Sequence, residues 1–405
     1  MVLEKPVFPL PKPRQILAQF GATYAAAAVV AFLFAASGPI AIVLAVGARG
    51  GLSQSDLASW VFGGFFINSL FSVVMTLLYR QPLVFLWSIP GTVLLAPALG
   101  HLRFPEVVGA FIATGVLMLV LGLSGWVRRA MQAVPMPVVM AMVAGVFLRF
   151  GVDLVLAFRD DFWIAAPMAA VWFALSAAPR LARFVPPLIG ALIAGAIAVW
   201  LLGSFKPPAG AFFGIATPVF YMPEFSWAAM VELVVPLAIS VLVVQNAQGI
   251  AILAANGHHA PINAVTATCG IGAMVSGLCG AVSTCLTGPV NAVIATTPHK
   301  ERHYTGALFF CALAFAFGLL APLFTRLLLA APPAFIAALA GLAMLRILQT
   351  AFAASFKDRF SFGALICFLV TVADVPIFRI GAPFWGLVFG LAASWLLERE
   401  DMKAS

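Results

Sequence analysis

Long apolar runs, interrupted only by Pro, Gly or short clusters of charge, recur along the whole chain. They fall near 19–46, 56–79, 83–99, 105–127, 136–157, 161–178, 185–203, 228–255, 262–279, 281–297, 304–328, 332–354, 360–375 and 382–397. A helix needs about 20 largely apolar residues to cross the hydrocarbon core of a bilayer. The pattern therefore predicts an all-α polytopic membrane protein with fourteen transmembrane segments.

Composition narrows the function classes. Of 405 residues, 63% are hydrophobic and 9% charged, against about 25% charged in a soluble domain. A soluble enzyme is excluded, and the bilayer is the first partner. The segment after Lys5, Lys12 and Arg14 is too long for a signal-peptide core and reads as an uncleaved first helix. With the amino terminus inside, the cytoplasmic connections hold Lys5, Lys12, Arg14, Arg80, Arg128, Arg129, Arg180, Arg183, Lys300, Arg302, Lys357, Arg359, Arg399 and Lys403. The external side holds only Arg49, Arg103, Arg159, Lys206, Arg326 and Arg379. This positive-inside bias puts both termini in the cytoplasm. No basic-aromatic motif suggests nucleic acid. Cys269, Cys279, Cys285, Cys311 and Cys367 lie in apolar stretches without a CxxC pair, so no disulfide, metal or cofactor is expected. Neither an HExxH motif nor a Ser/His pairing within the segments supports an intramembrane enzyme, and His258, His259, His299 and His303 fall in predicted cytoplasmic loops.

The two halves are alike. The stretch from Ala144 to Arg149 matches that from Ala340 to Arg346 with a one-residue slip, and Gly109, Gly122, Pro135, Pro187 and Trp200 find counterparts at Gly306, Gly318, Pro332, Pro383 and Trp395. A unit of seven segments is odd, so its second copy enters from the opposite face. A 7+7 inverted repeat is expected, the plan that underlies alternating access in many transporters.

In such repeats the site lies near the midplane, where interrupted helices expose their ends. The third and tenth segments have this character. Trp87, Ser88, Ile89, Pro90 and Gly91 follow a short β-prone stretch, with Ser88 placed to cap a half-helix and Pro90 in its first turn. The stretch from Gly280 to Pro289 is read as the counterpart, with Ala281, Val282, Ser283 and Thr284 as its binding residues and Ser283 placed like Ser88. Two half-helix N-termini converging on one cavity favour an anion without a buried lysine. The same residues would also serve as caps of helices bent for packing. Three amides crowd the eighth segment: Gln245 and Gln248 share a helix face and are read as ligand groups, while Asn246 points to a neighbouring helix. Ser37 and Gly38 break the first segment and are expected on the opposite wall, and Phe34, Phe85 and Trp87 are candidates for stacking on a ring.

Five stretches together carry a family resemblance: Ser37 to Val43, Trp87 to Gly91, Leu148 to Asp153, Gln245 to Ala251 and Pro383 to Leu387. In order and over nearly the whole chain, these resemble the benzoate/proton symporter family, related to the nucleobase permeases with the uracil-transporter fold. The resemblance implies a core domain, residues 1–130 (segments 1–4) and 228–330 (segments 8–11), and a gate domain, residues 131–205 (segments 5–7) and 331–405 (segments 12–14). It also implies proton-coupled uptake of benzoate or a similar small aromatic carboxylate across a bacterial inner membrane, by elevator motion of core against gate, with two copies pairing through their gates. The chain departs from the family at Ser283, which stands near an asparagine position. It also lacks the eighth-segment glutamate of the nucleobase permeases, an absence that suits an anionic substrate. The proton carrier is left to Asp153, Glu232 and Asp374, each toward a helix end. Arg149 and Arg346, at equivalent repeat positions, are candidates for a coupling or structural role. The rival functions are a nucleobase-like or other organic-anion carrier and an uncoupled anion channel.

Overall fold

Residues 3–132, 135–182, 185–206, 214–357, 359–378 and 380–403 are described by a computed structural model. Arg183 and Arg379, part of the charge bias above, lie outside them.

The protein is mainly helical. The first half holds α1 (Ala22–Ala35), α2 (Gly38–Arg49), α3 (Gln54–Tyr79), β1 (Phe85–Trp87), α4 (Ile89–Ala98), α5 (Phe104–Ser124), α6 (Met136–Asp160), α7 (Phe162–Ala177) and α8 (Pro187–Leu201). The second holds α9 (Trp227–Ala255), α10 (Ile262–Gly277), β2 (Thr284–Leu286), α11 (Gly288–Ala295), α12 (His303–Leu319), α13 (Ala321–Leu329), α14 (Pro333–Phe356), α15 (Ser361–Ala373) and α16 (Ala382–Leu397). Among the described residues, seven helical stretches are long and apolar enough to cross a membrane unaided: α1 with α2, then α3, α5, α6, α9, α12 with its leading turn, and α14. Several others are apolar but shorter.

Two apolar segments are divided, the first at the break expected from Ser37 and Gly38 and the second where a single helix is expected. The first breaks at Ala36 and Ser37, where Pro39 in the opening turn of α2 has no N–H to continue the ladder. The segment near 304–328 divides at Leu320 into α12 and α13, with Pro322 again in the first turn of the second piece. The short strands β1 and β2 pair antiparallel in the register Phe85 with Leu286, Leu86 with Cys285 and Trp87 with Thr284. Each strand feeds directly into a helix, so α4 and α11 leave the two-stranded sheet in opposite directions with their N-termini toward its middle.

The helices pack pairwise along much of their length, and α2 also packs on α14. The helix α6 lies along α14 and α15, α15 along α16, and α7 along α8. Around the sheet, α5 lies along α10 and α12 packs on α1 and α3. The α5–α10 contact depends on missing side chains: a Cβ on Gly115 would stand 2.7 Å from the Gly270 carbonyl oxygen, and one on Gly270 only 2.6 Å from that of Gly115. With no hydrophobic driving force between helices in lipid, such close backbone approach supplies the association.

Candidate functional site

Extended backbone deep in a bilayer is tolerated only where each N–H and C=O finds a partner. Here buried polar side chains close what the short sheet leaves open. Asn291 Oδ1 accepts from Val84 N–H at 3.0 Å, and its Nδ2 donates to the Val84 and Thr287 carbonyls. Ser72 Oγ accepts from Phe85 N–H at 2.8 Å. Asn246 Oδ1 accepts from Leu286 N–H at 2.9 Å, while its Nδ2 reaches Cys269 Sγ. Asn246 is thus a clamp on β2. The sheet pairing continues through Ser88 N–H to the Ser283 carbonyl and Thr287 N–H to the Val84 carbonyl, which fixes the starts of α4 and α11 relative to one another.

Between these starts lies a cavity of about 20 Å³ lined by Phe34, Ala35, Pro39, Leu86, Trp87, Ile89, Gln245, Thr287, Pro289 and Val290. None of these is charged. Two carry polar side chains well suited to a ligand, Gln245 and Thr287, and neither side chain is hydrogen-bonded among the described residues. The Trp87 indole N–H is also buried without a partner among them, and its ring packs on Phe65 with centroids 5.0 Å apart.

The structure divides the residues singled out from sequence. Trp87, Ile89 and Gln245 line the cavity, as does Phe34; Phe85 does not. Ser88 caps α4, accepting from Gly91 N–H at 3.0 Å, and shares a second hydrogen bond with Ser240. Pro90 and Gly91 are buried in that first turn. Ser37 donates to the Phe34 carbonyl, and Gly38 abuts Ala343 and Leu188, so this break meets α14 and α8 while its flanks line the cavity. The residue equivalent to Ser88 is Thr287, not Ser283: α11 begins only after β2, and Thr287 is its N-cap. Ala281, Val282, Ser283 and Thr284 are buried in and before β2, where Ala281 meets Gly63 and Thr284 Oγ1 donates to Asn68.

Gln245 and Gln248 do not share an environment. Gln245 lies within the π-helical turn Ser240–Asn246, which widens the helix there, and Gln248, just beyond it, is exposed beside Gly288, where a Cβ would stand 2.7 Å from its Oε1. Thr287 and Pro289 fall within the expected counterpart stretch but outside its expected binding residues, and Val290 lies just beyond it. Strand pairing across half the chain selects them, and no local motif records it.

The charged candidates stand apart from this cavity. Arg49 Nη2 meets Asp153 Oδ2 at 2.6 Å, joining α2 to α6, and exposed Arg149 approaches the same carboxylate at 3.6 Å. Arg49, Arg149 and Asp374 line a second, wider cleft of about 370 Å³, with Val93 and Pro97 of α4 on its other wall. Glu232 is buried against His101 at 2.9 Å. Arg346 is exposed and donates to Gln349.

A helical membrane protein whose centre is made of two half-helices starting from one small sheet belongs, by fold and site, among the membrane transporters. The chain is a member of the benzoate membrane transport protein family, BenE, whose family model matches residues 18–396. It is 30% identical to the inner membrane protein YdcO of Escherichia coli over 89% of this chain and 92% of that protein. It is 27% identical to the benzoate membrane transport protein of Acinetobacter baylyi over 91% and 93%. Among solved structures, the transmembrane domain of the cyanobacterial bicarbonate transporter BicA matches with a TM-score of 0.63 at 16% identity, covering 94% of this chain and 99% of that one. SLC26A9 matches at 0.65 and 13% identity, over 94% and 66%. The fold is thus that of BicA and SLC26A9, which is of the same class as the uracil-transporter fold that the resemblance implies.

Proposed function

We propose that this protein is a secondary transporter of the bacterial inner membrane that takes up benzoate or a similar small aromatic carboxylate together with protons. The observation that carries the reading is the cavity between α4 and α11: apolar and aromatic walls, two helix N-termini, and the unengaged polar groups of Gln245 and Thr287. A carboxylate is satisfied there by helix-end N–H groups, an amide and a hydroxyl, while the ring lies on Phe34 and Trp87. Membership of a family described as benzoate transporters and likeness to a bicarbonate transporter support an anionic substrate.

In this reading the chain forms fourteen segments in a 7+7 inverted repeat. Residues 1–130 and 228–330 make a core that carries the site, residues 131–205 and 331–405 make a gate, and the core slides as an elevator. A cavity of about 20 Å³ has room for about one water, so the ring enters only as core and gate part. Both termini are cytoplasmic, and two copies meet through their gates.

The test is uptake of labelled benzoate into proteoliposomes with and without an acid-outside pH gradient. Saturable accumulation that rises with the gradient is expected, and uracil should not compete. Uptake that neither saturates nor responds to the gradient would establish an uncoupled channel, and competition by uracil would establish a nucleobase-like carrier.

A further inference from the structure

Glu232 takes no part in the cavity: it lies near the start of α9, about 20 Å along the helix from Gln245 at 1.5 Å per residue. It is only 3% exposed. His101, in the turn after α4, donates Nε2–H to Oε2 at 2.9 Å. The other oxygen, Oε1, is buried, and among the described residues the Gly381 backbone N–H is the one polar group beside it, outside ordinary hydrogen-bond geometry. It faces Gly381, immediately before α16, where any Cβ would overlap it. The helices α4 and α9 belong to the core proposed above and Gly381 to the gate, so this carboxylate lies in the seam between them.

The surrounding charges leave Glu232 to His101. Asp374, at the end of α15, faces the pair as a second acid, with Arg149 acting on Asp374. On α5, Glu106 is taken up by the Arg103 backbone N–H, and Arg103 pairs with Glu224. Neither α4 nor α16 carries a charged residue. A buried carboxylate with one full hydrogen bond, from His101, is costly when ionised. His101 is about one-third exposed by side chain and connects it to water on the face that the charge bias assigns to the outside.

We infer that His101 and Glu232 form the binding site for the co-transported proton. The inference rests on the proton-coupled reading above. One proton passes from external water through the His101 imidazole to the Glu232 carboxylate. It removes the negative charge from the core–gate seam while the seam moves, and returns to water on the other side; no other bond changes.

Two measurements on the full-length protein test this, with Glu232→Gln and His101→Gln. The first is an infrared titration in detergent without substrate, following the carbonyl stretch of protonated carboxyl groups. A titrating band is expected in the wild type, absent in Glu232→Gln and displaced in pH in His101→Gln. The second compares gradient-driven benzoate accumulation with benzoate counterflow at equal pH. A single coupled proton supports about tenfold accumulation per pH unit, and the ratio of accumulation to counterflow should fall by about that factor in Glu232→Gln. An unchanged band in Glu232→Gln, or an unchanged ratio, overturns the assignment. If the wild type carries no benzoate, the functional reading fails and the infrared titration still decides Glu232. If Glu232→Gln does not fold, the pH displacement in His101→Gln decides it.

Discussion

At the first half-helix, Ser88 accepts from Gly91 N–H and shares a hydrogen bond with Ser240. At the second, Thr287 holds the same cap position, and its hydroxyl makes no cap bond. Both helices follow a three-residue strand and carry proline in the first turn, Pro90 and Pro289. The backbone device is therefore shared while the side chains diverge. The first half commits its hydroxyl to fixing α4 against α9, and the second leaves one free at the cavity wall. In the proposed repeat the two copies keep the backbone device and differ in side chains, and the proposed site draws on that difference.

The comparison breaks most severely if the sheet itself is loosened. Asn291→Leu leaves Val84 N–H and two carbonyls without their side-chain partner. The expected loss is about 1–3 kcal/mol, read as a lower thermal unfolding temperature in detergent, with transport lost in both directions. A smaller and more selective effect is expected at the cavity. Gln245→Leu and Thr287→Val should each weaken benzoate binding about tenfold, equivalent to about 1.4 kcal/mol, with little change in unfolding temperature. Calorimetric titration of the purified variants measures this. Ser88→Ala should do the reverse: lower stability by about 1 kcal/mol for a lost N-cap and smaller change in affinity than Thr287→Val. Equal affinity losses at Ser88 and Thr287 would remove the distinction between the halves.

Much of this plan is legible in sequence because it rests on local rules. The apolar runs follow from the thickness of the bilayer, and the first half-helix is announced by Ser88 followed by Pro90, a cap and a first-turn proline. The second half-helix shows why the remainder is hidden. Ser283 and Thr287 both lie in a run of small residues, and either could open a helix by its own propensity. Only the pairing of Trp87 with Thr284, nearly two hundred residues apart in sequence, makes the run through Leu286 a strand and moves the cap to Thr287. Gln248 is exposed where Gln245 is buried for a related reason, since the face shared by positions three apart holds for an α-helix and Gln245 lies in a π-helical turn. His101 carries no motif at all; its meaning depends on Glu232, brought to it by tertiary packing.

The far ends of the two half-helices differ as well, and this sets the smallest effect. Beyond α4, His101 meets an acid. Beyond α11, His303 Nε2 donates to the Thr297 carbonyl at 2.7 Å and its Nδ1 meets His258 Nε2 at 2.9 Å. With Nε2 donating, neutral His303 has Nδ1 free to accept, so His258 supplies the proton between the rings. Burial, and then the neighbouring His303, lower the His258 pKa from 6.5 to about 4. A depressed folded-state value means that the unfolded chain binds this proton first. The stability contributed by His258 is therefore complete above pH 6.5 and declines as pH falls toward 4. Between pH 7 and 5.5 the decline should be about 1 kcal/mol, since each tenfold difference in proton affinity between the folded and unfolded chain is worth about 1.4 kcal/mol. Unfolding temperature measured across that range should fall in the wild type and fall less in His258→Gln. An equal slope in both would mean that the second half-helix is not closed by a neutral histidine pair.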